Sequence, residues 1–106
     1  MMKIHELKLD TEYFDDVNSG LKTFEIRKND RDYQVGDLLS LSRFENGKYW
    51  KTRAGFYINK ENGREIVSLN EAETILMTVT YITDYEQKDG YVVMGIEPYA
   101  RVTVND

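Results

Sequence analysis

The sequence contains no cysteine, one histidine and one proline. Without cysteine, a disulfide framework and thiol catalysis are excluded, and a single histidine argues against a structural zinc site. The amino terminus lacks a long apolar stretch, so the sequence predicts neither a signal peptide nor a membrane span. These absences fit a cytoplasmic protein, and we expect no metal or other cofactor.

The length of the chain limits the number of domains. The 106 residues are enough for one core and too few for two ordinary domains, so we predict a single domain over 1–106.

The amount and distribution of charge narrow the class of ligand or partner that the protein could bind. A net charge of −5 argues against a protein that coats nucleic acid by bulk electrostatics. Residues 22–53, however, hold eight basic and five acidic side chains. This stretch is either a local basic face or a solvated surface of mixed charge.

The pattern of apolar residues predicts one early helix followed by many short strands. Asp10 or Thr11 begins the helix, and Ser19-Gly20 ends it. Two Asn-Gly pairs predict successive hairpins within an insert-like region of about 46–67, and residues 70–73 are a helical turn or a loop. The predicted strands are residues 4–9, 23–28, 38–44, 48–58, 64–67, 74–83, 91–96 and an edge strand at 99–104. This order predicts a mixed α+β, mostly β domain, closed or nearly closed into a barrel.

The segment GLKTFEIR at 20–27 holds the strongest functional signal. Alternation along its strand separates the polar residues Thr23, Glu25 and Arg27 from the apolar ones, and we expect the apolar residues, Phe24 and Ile26, to be buried. Charges beside a core strand need a reason. Lys22, Glu25 and Arg27 form either a ligand pocket or an ion-pair cluster that only neutralises itself.

The pattern Gly20-x-Lys22-x-x-Glu25-x-Arg27 resembles the signature of the ASCH domain, a PUA-like β-barrel family tied to RNA-related functions. Further blocks resemble a bacterial and phage branch of uncharacterised ASCH-like proteins: residues 5–8, 25–33, 35–37, 80–84 and 90–96. The resemblance implies a PUA-like/ASCH β-barrel with one or two short helices. It also implies a ligand that is RNA, a nucleotide or a modified nucleoside.

The resemblance also raises an enzymatic alternative. A small bacterial relative is an amidohydrolase on acylated cytidine that uses a lysine, a threonine and a glutamate. Its lysine corresponds to Lys22, which with Glu25 would be catalytic, but its threonine falls on Glu25 here. Thr23 is the nearest hydroxyl. A third hypothesis is a protein-interaction module of phage or bacterial origin that docks through the 46–67 hairpins.

The candidate ligand-binding residues follow from the chemistry of a nucleotide. A carboxylate accepts from base N–H groups, a guanidinium binds phosphate, and aromatic rings stack on bases. The predicted binding residues are Lys22, Glu25, Arg27, Lys28, Arg31, Tyr33 and Tyr91, with His5, Thr23 and Trp50 as further candidates. For His5, which shares its parity with Leu7 and Leu9, a core histidine is the alternative. The sequence leaves the oligomeric state open.

Overall fold

The protein is described by a computed structural model over residues 2–52 and 63–99. It is mostly β with one α-helix in this part, as the sequence predicted. In chain order the elements are β1 (Ile4–Asp10), α1 (Thr11–Ser19), β2 (Phe24–Lys28), β3 (Leu38–Glu45), β4 (Lys48–Thr52), β5 (Arg64–Val67), a 3₁₀ helix (Leu69–Glu71), β6 (Thr74–Thr83) and β7 (Tyr91–Pro98).

The strands form one sheet that is not closed into a barrel, which corrects the barrel expected from the sequence. The order is β2-β7-β6-β3-β4-β5, and β1 pairs with β3 outside this path. The β1–β3 pair is parallel and the others are antiparallel. Closure would require a backbone ladder between β1 and β2, but within residues 2–52 and 63–99 each of these strands pairs on one side only. Side chains bridge the two edges instead, as described below.

One face of the sheet, together with α1, forms the core. Alternate residues of β1, β3, β6 and β7 point inward, and Phe14 and Val17 of the helix pack onto them. The buried cluster is Leu7, Leu9, Phe14, Val17, Tyr33, Leu39, Leu41, Met77, Val79, Val92, Met94 and Ile96. Register explains this common face, because directly paired residues on neighbouring strands point to the same side.

The ends of α1 match the capping chemistry in its sequence. The Asp10 carboxylate accepts from the Glu12 N–H at 2.9 Å, and Gly20 ends the helix at φ +87°. Of the two predicted caps, the structure uses Asp10. The cap conformation of Gly20 brings the chain round into β2, and the Lys22 N–H donates to the Asp16 carbonyl at 3.0 Å.

Arg43 fixes α1 to the sheet from a buried position. Its guanidinium donates to the Thr11 hydroxyl at 2.6 Å, the Asp15 carboxylate at 2.7 Å and the Glu73 carboxylate at 2.9 Å. The same group lies 4.2 Å from the ring centroid of Phe14. Thr11, Asp15 and Phe14 all belong to α1, whereas Arg43 lies on β3 and Glu73 directly precedes β6. This one cation therefore orients the helix, and Lys22 follows shortly after its end.

A second buried polar group, Asp37, joins the start of β1 to the start of β3. Its carboxylate accepts from the His5 ring at 2.8 Å, the Lys3 N–H at 3.1 Å and the Gln34 N–H at 3.0 Å. Burial acts to raise the pKa of Asp37, but these hydrogen bonds outweigh it, so the pKa lies below its ordinary value.

The hairpin predictions are confirmed where the structure describes them. Asn46 and Gly47 have φ of +53° and +73°, and β3 pairs with β4 across them. β4 also pairs with β5, which gives the predicted meander. The predicted strand part at 53–58, the turn residue Asn62 and the predicted edge strand from residue 100 onward lie outside the described residues. In the described part, no helix has the length and apolar character needed to cross a membrane.

The lowered pKa of Asp37 makes its contribution to stability dependent on pH. A carboxylate whose pKa falls on folding stabilises the protein fully above its ordinary value, here 3.8, and loses that effect as the pH falls through the folded value. We therefore expect Asp37→Asn to be less stable than wild type at pH 7. The difference should shrink below about pH 4.

Urea denaturation between pH 7 and acid pH measures this difference. Asp84→Asn, which removes an exposed carboxylate from the turn before β7, controls for the change in net charge. A wild-type to Asp37→Asn difference that stays constant into the acid range would contradict the assigned role of the ionised carboxylate.

Candidate functional site

On strand β2, Glu25 and Arg27 point inward, whereas the two apolar residues, Phe24 and Ile26, point outward. Glu25 is 2% exposed, whereas Phe24 and Ile26 are 41% and 50% exposed. The burial predicted for these two apolar residues is therefore wrong. The reason is register with β7, because Glu25 lies opposite Met94, which points into the core. Arg27 lies opposite the core residue Val92 and so shares the face of Glu25, as alternation predicted.

Lys22, Glu25 and Arg27 form one ion-paired group, which we call the charged triad. Lys22 Nζ lies 3.0 Å from one Glu25 carboxylate oxygen, and Arg27 Nε lies 2.9 Å from the other. Lys22 also donates to the Phe24 carbonyl at 2.7 Å. The predicted ion-pair cluster is thus present, and its two cations hold opposite sides of a single buried carboxylate.

Arginine side chains bridge the open edges of β1 and β2. Arg27 Nη2 donates to the Lys8 carbonyl at 3.0 Å, and Arg31 Nη1 donates to the Glu6 carbonyl at 3.2 Å. In a parallel pair, the carbonyls of successive residues point to opposite sides of the strand, so those of alternate residues share a side. Since the Lys3 carbonyl accepts from Leu38 of β3, those of Glu6 and Lys8 face the open edge. The guanidinium groups therefore occupy the place of a missing neighbouring strand.

The charged triad borders a cleft of about 630 Å³ between β1, β2 and the end of α1. This volume falls within the range of small-molecule sites, about 300–1,000 Å³. The lining residues are Lys8, Leu9, Asp10, Tyr13, Lys22, Phe24, Glu25, Ile26, Arg27, Lys28 and Tyr91. The triad is therefore both an ion-pair cluster and part of a cleft wall, so the two interpretations of these residues are compatible.

The cleft is electropositive although the protein is acidic. Its four cations are Lys8, Lys22, Arg27 and Lys28, and its two carboxylates are Asp10 and Glu25. The lining therefore carries +2 on a chain of net charge −5. Glu25 is already paired with two cations, and Asp10 accepts the cap bond of α1. An anionic ligand would complement this balance of charge.

Arg27 keeps hydrogen-bonding capacity after its contacts within the protein. Its Nε and one Nη2 N–H are used by Glu25 and by the Lys8 carbonyl. Within residues 2–52 and 63–99, its Nη1 group has no acceptor. Because a guanidinium presents its N–H groups in a rigid plane, the two fixed contacts also fix the direction of the free ones.

Aromatic rings on two sides of the cleft complete its lining. Lys22 Nζ lies 4.6 Å from the ring centroid of Phe24 and 5.4 Å from that of Tyr13. Lys88 Nζ lies 5.2 Å from the ring centroid of Tyr91. Cations over the ring faces hold both the ammonium groups and the aromatic walls in place.

The structure brings together five of the predicted binding residues and separates the others. Those at the cleft are Lys22, Glu25, Arg27, Lys28 and Tyr91. Arg31 lines a neighbouring cleft. Thr23 is exposed but is not part of the lining, and Trp50 lies on β4, where its indole N–H donates to the Glu45 carbonyl at 2.9 Å.

His5 and Tyr33 belong to the core rather than to the cleft. Their ring centroids are 4.8 Å apart in an edge-to-face arrangement, and both residues are buried. The His5 ring is engaged with the buried Asp37. The reading of His5 as a hydrogen-bonded core histidine therefore describes its position, and the Tyr33 ring has no open face for a ligand.

Lys8 and Tyr13 are cleft residues that the sequence analysis missed. Alternation along β1 does predict that Lys8 points to the face opposite that of the core residues Leu7 and Leu9. It does not predict that β1 lies beside β2, which depends on the parallel pairing of β1 with β3. Among the described residues, no group of three or more His, Cys, Asp or Glu side chains could hold a metal ion.

Comparison with known proteins relates the chain to one family and to a phage protein. The model of a family described as a domain of unknown function, DUF3850, matches residues 4–96, which is most of the chain. An "Uncharacterized 12.9 kDa protein in GpA 3′region" of Escherichia phage P2 is 49% identical over 49 residues. That match covers 46% of this chain and 45% of the phage protein, so it spans less than half of either. The predicted likeness to uncharacterised phage proteins is supported, and neither match names the ASCH domain.

The inverted burial of β2 predicts the effects of two neighbouring substitutions. Glu25→Gln leaves Lys22 and Arg27 without their shared counter-charge, so it should lower the free energy of unfolding by about 1–3 kcal/mol. Ile26→Thr keeps a β-branched residue at a half-exposed position and should cost less than about 1 kcal/mol. Urea denaturation at pH 7 measures both. A larger cost for Ile26→Thr than for Glu25→Gln would contradict the assigned orientation of the strand.

Proposed function

The chain belongs to the DUF3850 family, and we propose that it binds RNA, a nucleotide or a modified nucleoside in the cleft of the charged triad. The observation that carries this proposal is the buried Glu25, which holds Lys22 and Arg27 at the wall of an electropositive cleft. The resemblance of segment 20–27 to the ASCH signature supports the same class of ligand. We also propose kinship with that PUA-like family, here with an open sheet, and a cytoplasmic location.

The charge of the cleft favours a phosphate-bearing ligand. Across the described segments the Arg27 Nη1 group has no acceptor and can bind an anion, and its plane is fixed by the contacts to Glu25 and to the Lys8 carbonyl. Charge-assisted bonds from a guanidinium to phosphate are among the stronger hydrogen bonds in proteins. Lys28 and Lys8 add positive charge to the same lining.

The role of Glu25 in this proposal is to position the two cations. Both of its oxygens are occupied, and its side chain is 3% exposed. A ligand therefore meets the edges of Lys22 and Arg27 rather than the carboxylate itself. This differs from the direct base contact that the sequence suggested for a carboxylate.

The aromatic wall favours a ligand that carries a base. Tyr91 and the half-exposed rings of Phe24 and Tyr13 offer apolar and stacking contacts beside the cations. Stacking contributes to binding with little dependence on which base is present. The site accordingly suits a nucleotide better than an anion without a ring, such as inorganic phosphate.

Calorimetric titration with the four ribonucleoside 5′-monophosphates tests the proposal. We expect at least one of them to bind more tightly than ribose 5-phosphate or inorganic phosphate, and Arg27→Gln to weaken that binding about tenfold. Lys3→Gln removes the same charge at an exposed residue outside the cleft lining and is the matched control. Raised salt should weaken the phosphate contribution.

Amide chemical shifts provide the location of the ligand. Shifts confined to residues 8–10, 13, 22–28 and 91 would support the cleft. Absence of binding by every nucleotide, RNA and modified nucleoside tried would exclude the proposal. In that case Lys22→Met and Arg27→Gln would lower stability without affecting any binding, as expected of the protein-interaction alternative. Residues 53–62 of the hairpins in that alternative lie outside the described part.

Hydrolysis of acylated nucleosides is the less favoured alternative, because the described cleft lining includes no serine or threonine hydroxyl. Lys22 is engaged by Glu25 and by a backbone carbonyl. We expect no release of acid from a panel of acylated cytidines above that of a Lys22→Ala control. Turnover by the wild type that Lys22→Ala abolishes would establish an amidohydrolase instead.

A further inference from the structure

A second, smaller cleft adjoins the first across the edge of β1. It has a volume of about 280 Å³ and lies over the outward face of β1, β3 and β4, where Glu6, Ser42 and Tyr49 line it. Lys8 and Arg27 line both clefts, and Arg31 lines the second. The two clefts are therefore consecutive parts of one groove.

The boundary between the two clefts is narrow and positively charged. It consists of the hydrogen bond from Arg27 Nη2 to the Lys8 carbonyl, at 3.0 Å. Beside it Arg31 is held by its bond to the Glu6 carbonyl, at 3.2 Å. Three cations, Lys8, Arg27 and Arg31, line the second cleft against one carboxylate, Glu6. Two of these cations, Lys8 and Arg27, also line the first cleft, so the crossing is positively charged.

The lining of the second cleft includes an aromatic residue, Tyr49, which packs against a neighbouring ring. The Tyr49 ring packs edge to face on Phe44, with centroids 4.9 Å apart. Lys8 Nζ lies 4.7 Å from the Phe44 centroid, so the cation and the two rings form one layer. Tyr91 is an aromatic residue in the lining of the first cleft. Each cleft thus combines an aromatic ring with the shared cations.

We propose that the ligand is a single-stranded oligonucleotide that crosses the edge of β1, with consecutive nucleosides in the two clefts. Arg27 holds the phosphate of the nucleotide in the first cleft, and the phosphate of the second nucleotide lies at Arg31, with Lys8 beside it. One base lies at Tyr91 and the next at Tyr49. This inference rests on the proposed function of the first cleft and extends it from one nucleotide to at least two.

The dependence of affinity on oligonucleotide length tests the inference. The probes are oligouridylates and oligoadenylates of one to four nucleotides, titrated calorimetrically at several salt concentrations. We expect about a tenfold gain from one nucleotide to two, and smaller gains beyond two. In a plot of the logarithm of the binding constant against the logarithm of salt concentration, the slope should be steeper by about 0.7 for the dinucleotide, because it adds one phosphate contact.

Two variants locate the second nucleotide. Arg31→Gln and Tyr49→Leu should each weaken the dinucleotide about tenfold and leave mononucleotide affinity within about twofold. Arg31→Gln should also lose the added salt dependence, whereas Tyr49→Leu should keep it. Tyr49→Phe retains the ring and should bind as the wild type does, which separates stacking from a loss of folding. Lys3→Gln again controls for net charge.

The outcomes distinguish the two proposals. Equal affinity for one and two nucleotides, or equal losses for both ligands in the Arg31 and Tyr49 variants, would overturn the two-cleft path while leaving the first cleft intact. A dinucleotide that binds more tightly yet ignores both variants would place the second nucleotide elsewhere and would also overturn it. Failure of every probe to bind would remove both proposals together.

Discussion

The buried carboxylate of Glu25 is the constraint on which the site depends. Register with β7 places this side chain on the face that carries Met94, so an ionised group lies where an apolar one would otherwise pack. An uncompensated charge in such a place is strongly unfavourable. Lys22 and Arg27 therefore have to approach it from both sides, and their positions in the cleft wall follow from the electrostatics of folding rather than from the ligand.

Arg27 also supplies a hydrogen-bond donor to the open edge of β1. Because β1 runs parallel to β3 and has no second neighbour among the strands that the structure describes, the Glu6 and Lys8 carbonyls on its open edge lack strand partners there. Arg27 and Arg31 satisfy these carbonyls, and an open edge capped by charged side chains is also protected from pairing with another chain. The cations at the edge are thus required by the fold, and the groove that they line is a consequence of an unclosed sheet.

Local chemistry made much of the fold predictable, and long-range pairing did not. The cap at Asp10, the turn at Asn46-Gly47 and the strand Thr74–Thr83 follow from residues within a few positions of one another. By contrast, the parallel pairing of β1 with β3 joins residues more than thirty apart, and no local pattern specifies it. The predicted burial of Phe24 is wrong because that prediction also depends on long-range pairing. Hydrophobicity shows which face of a strand is buried only when the partner strand is known.

The lining of the first cleft carries a charge of +2, whereas the whole chain carries −5. This difference bears on the length of nucleic acid that the protein can bind. Attraction is confined to a groove bordered by β1, and screening limits it to about 10 Å at 0.1 M salt. Beyond that distance a polyanion meets the field of a negatively charged surface, which repels it. Each nucleotide added past the groove therefore gains less attraction than the first two. The electrostatics favour a short single strand or a strand end, and they disfavour the extended binding of a protein that coats nucleic acid.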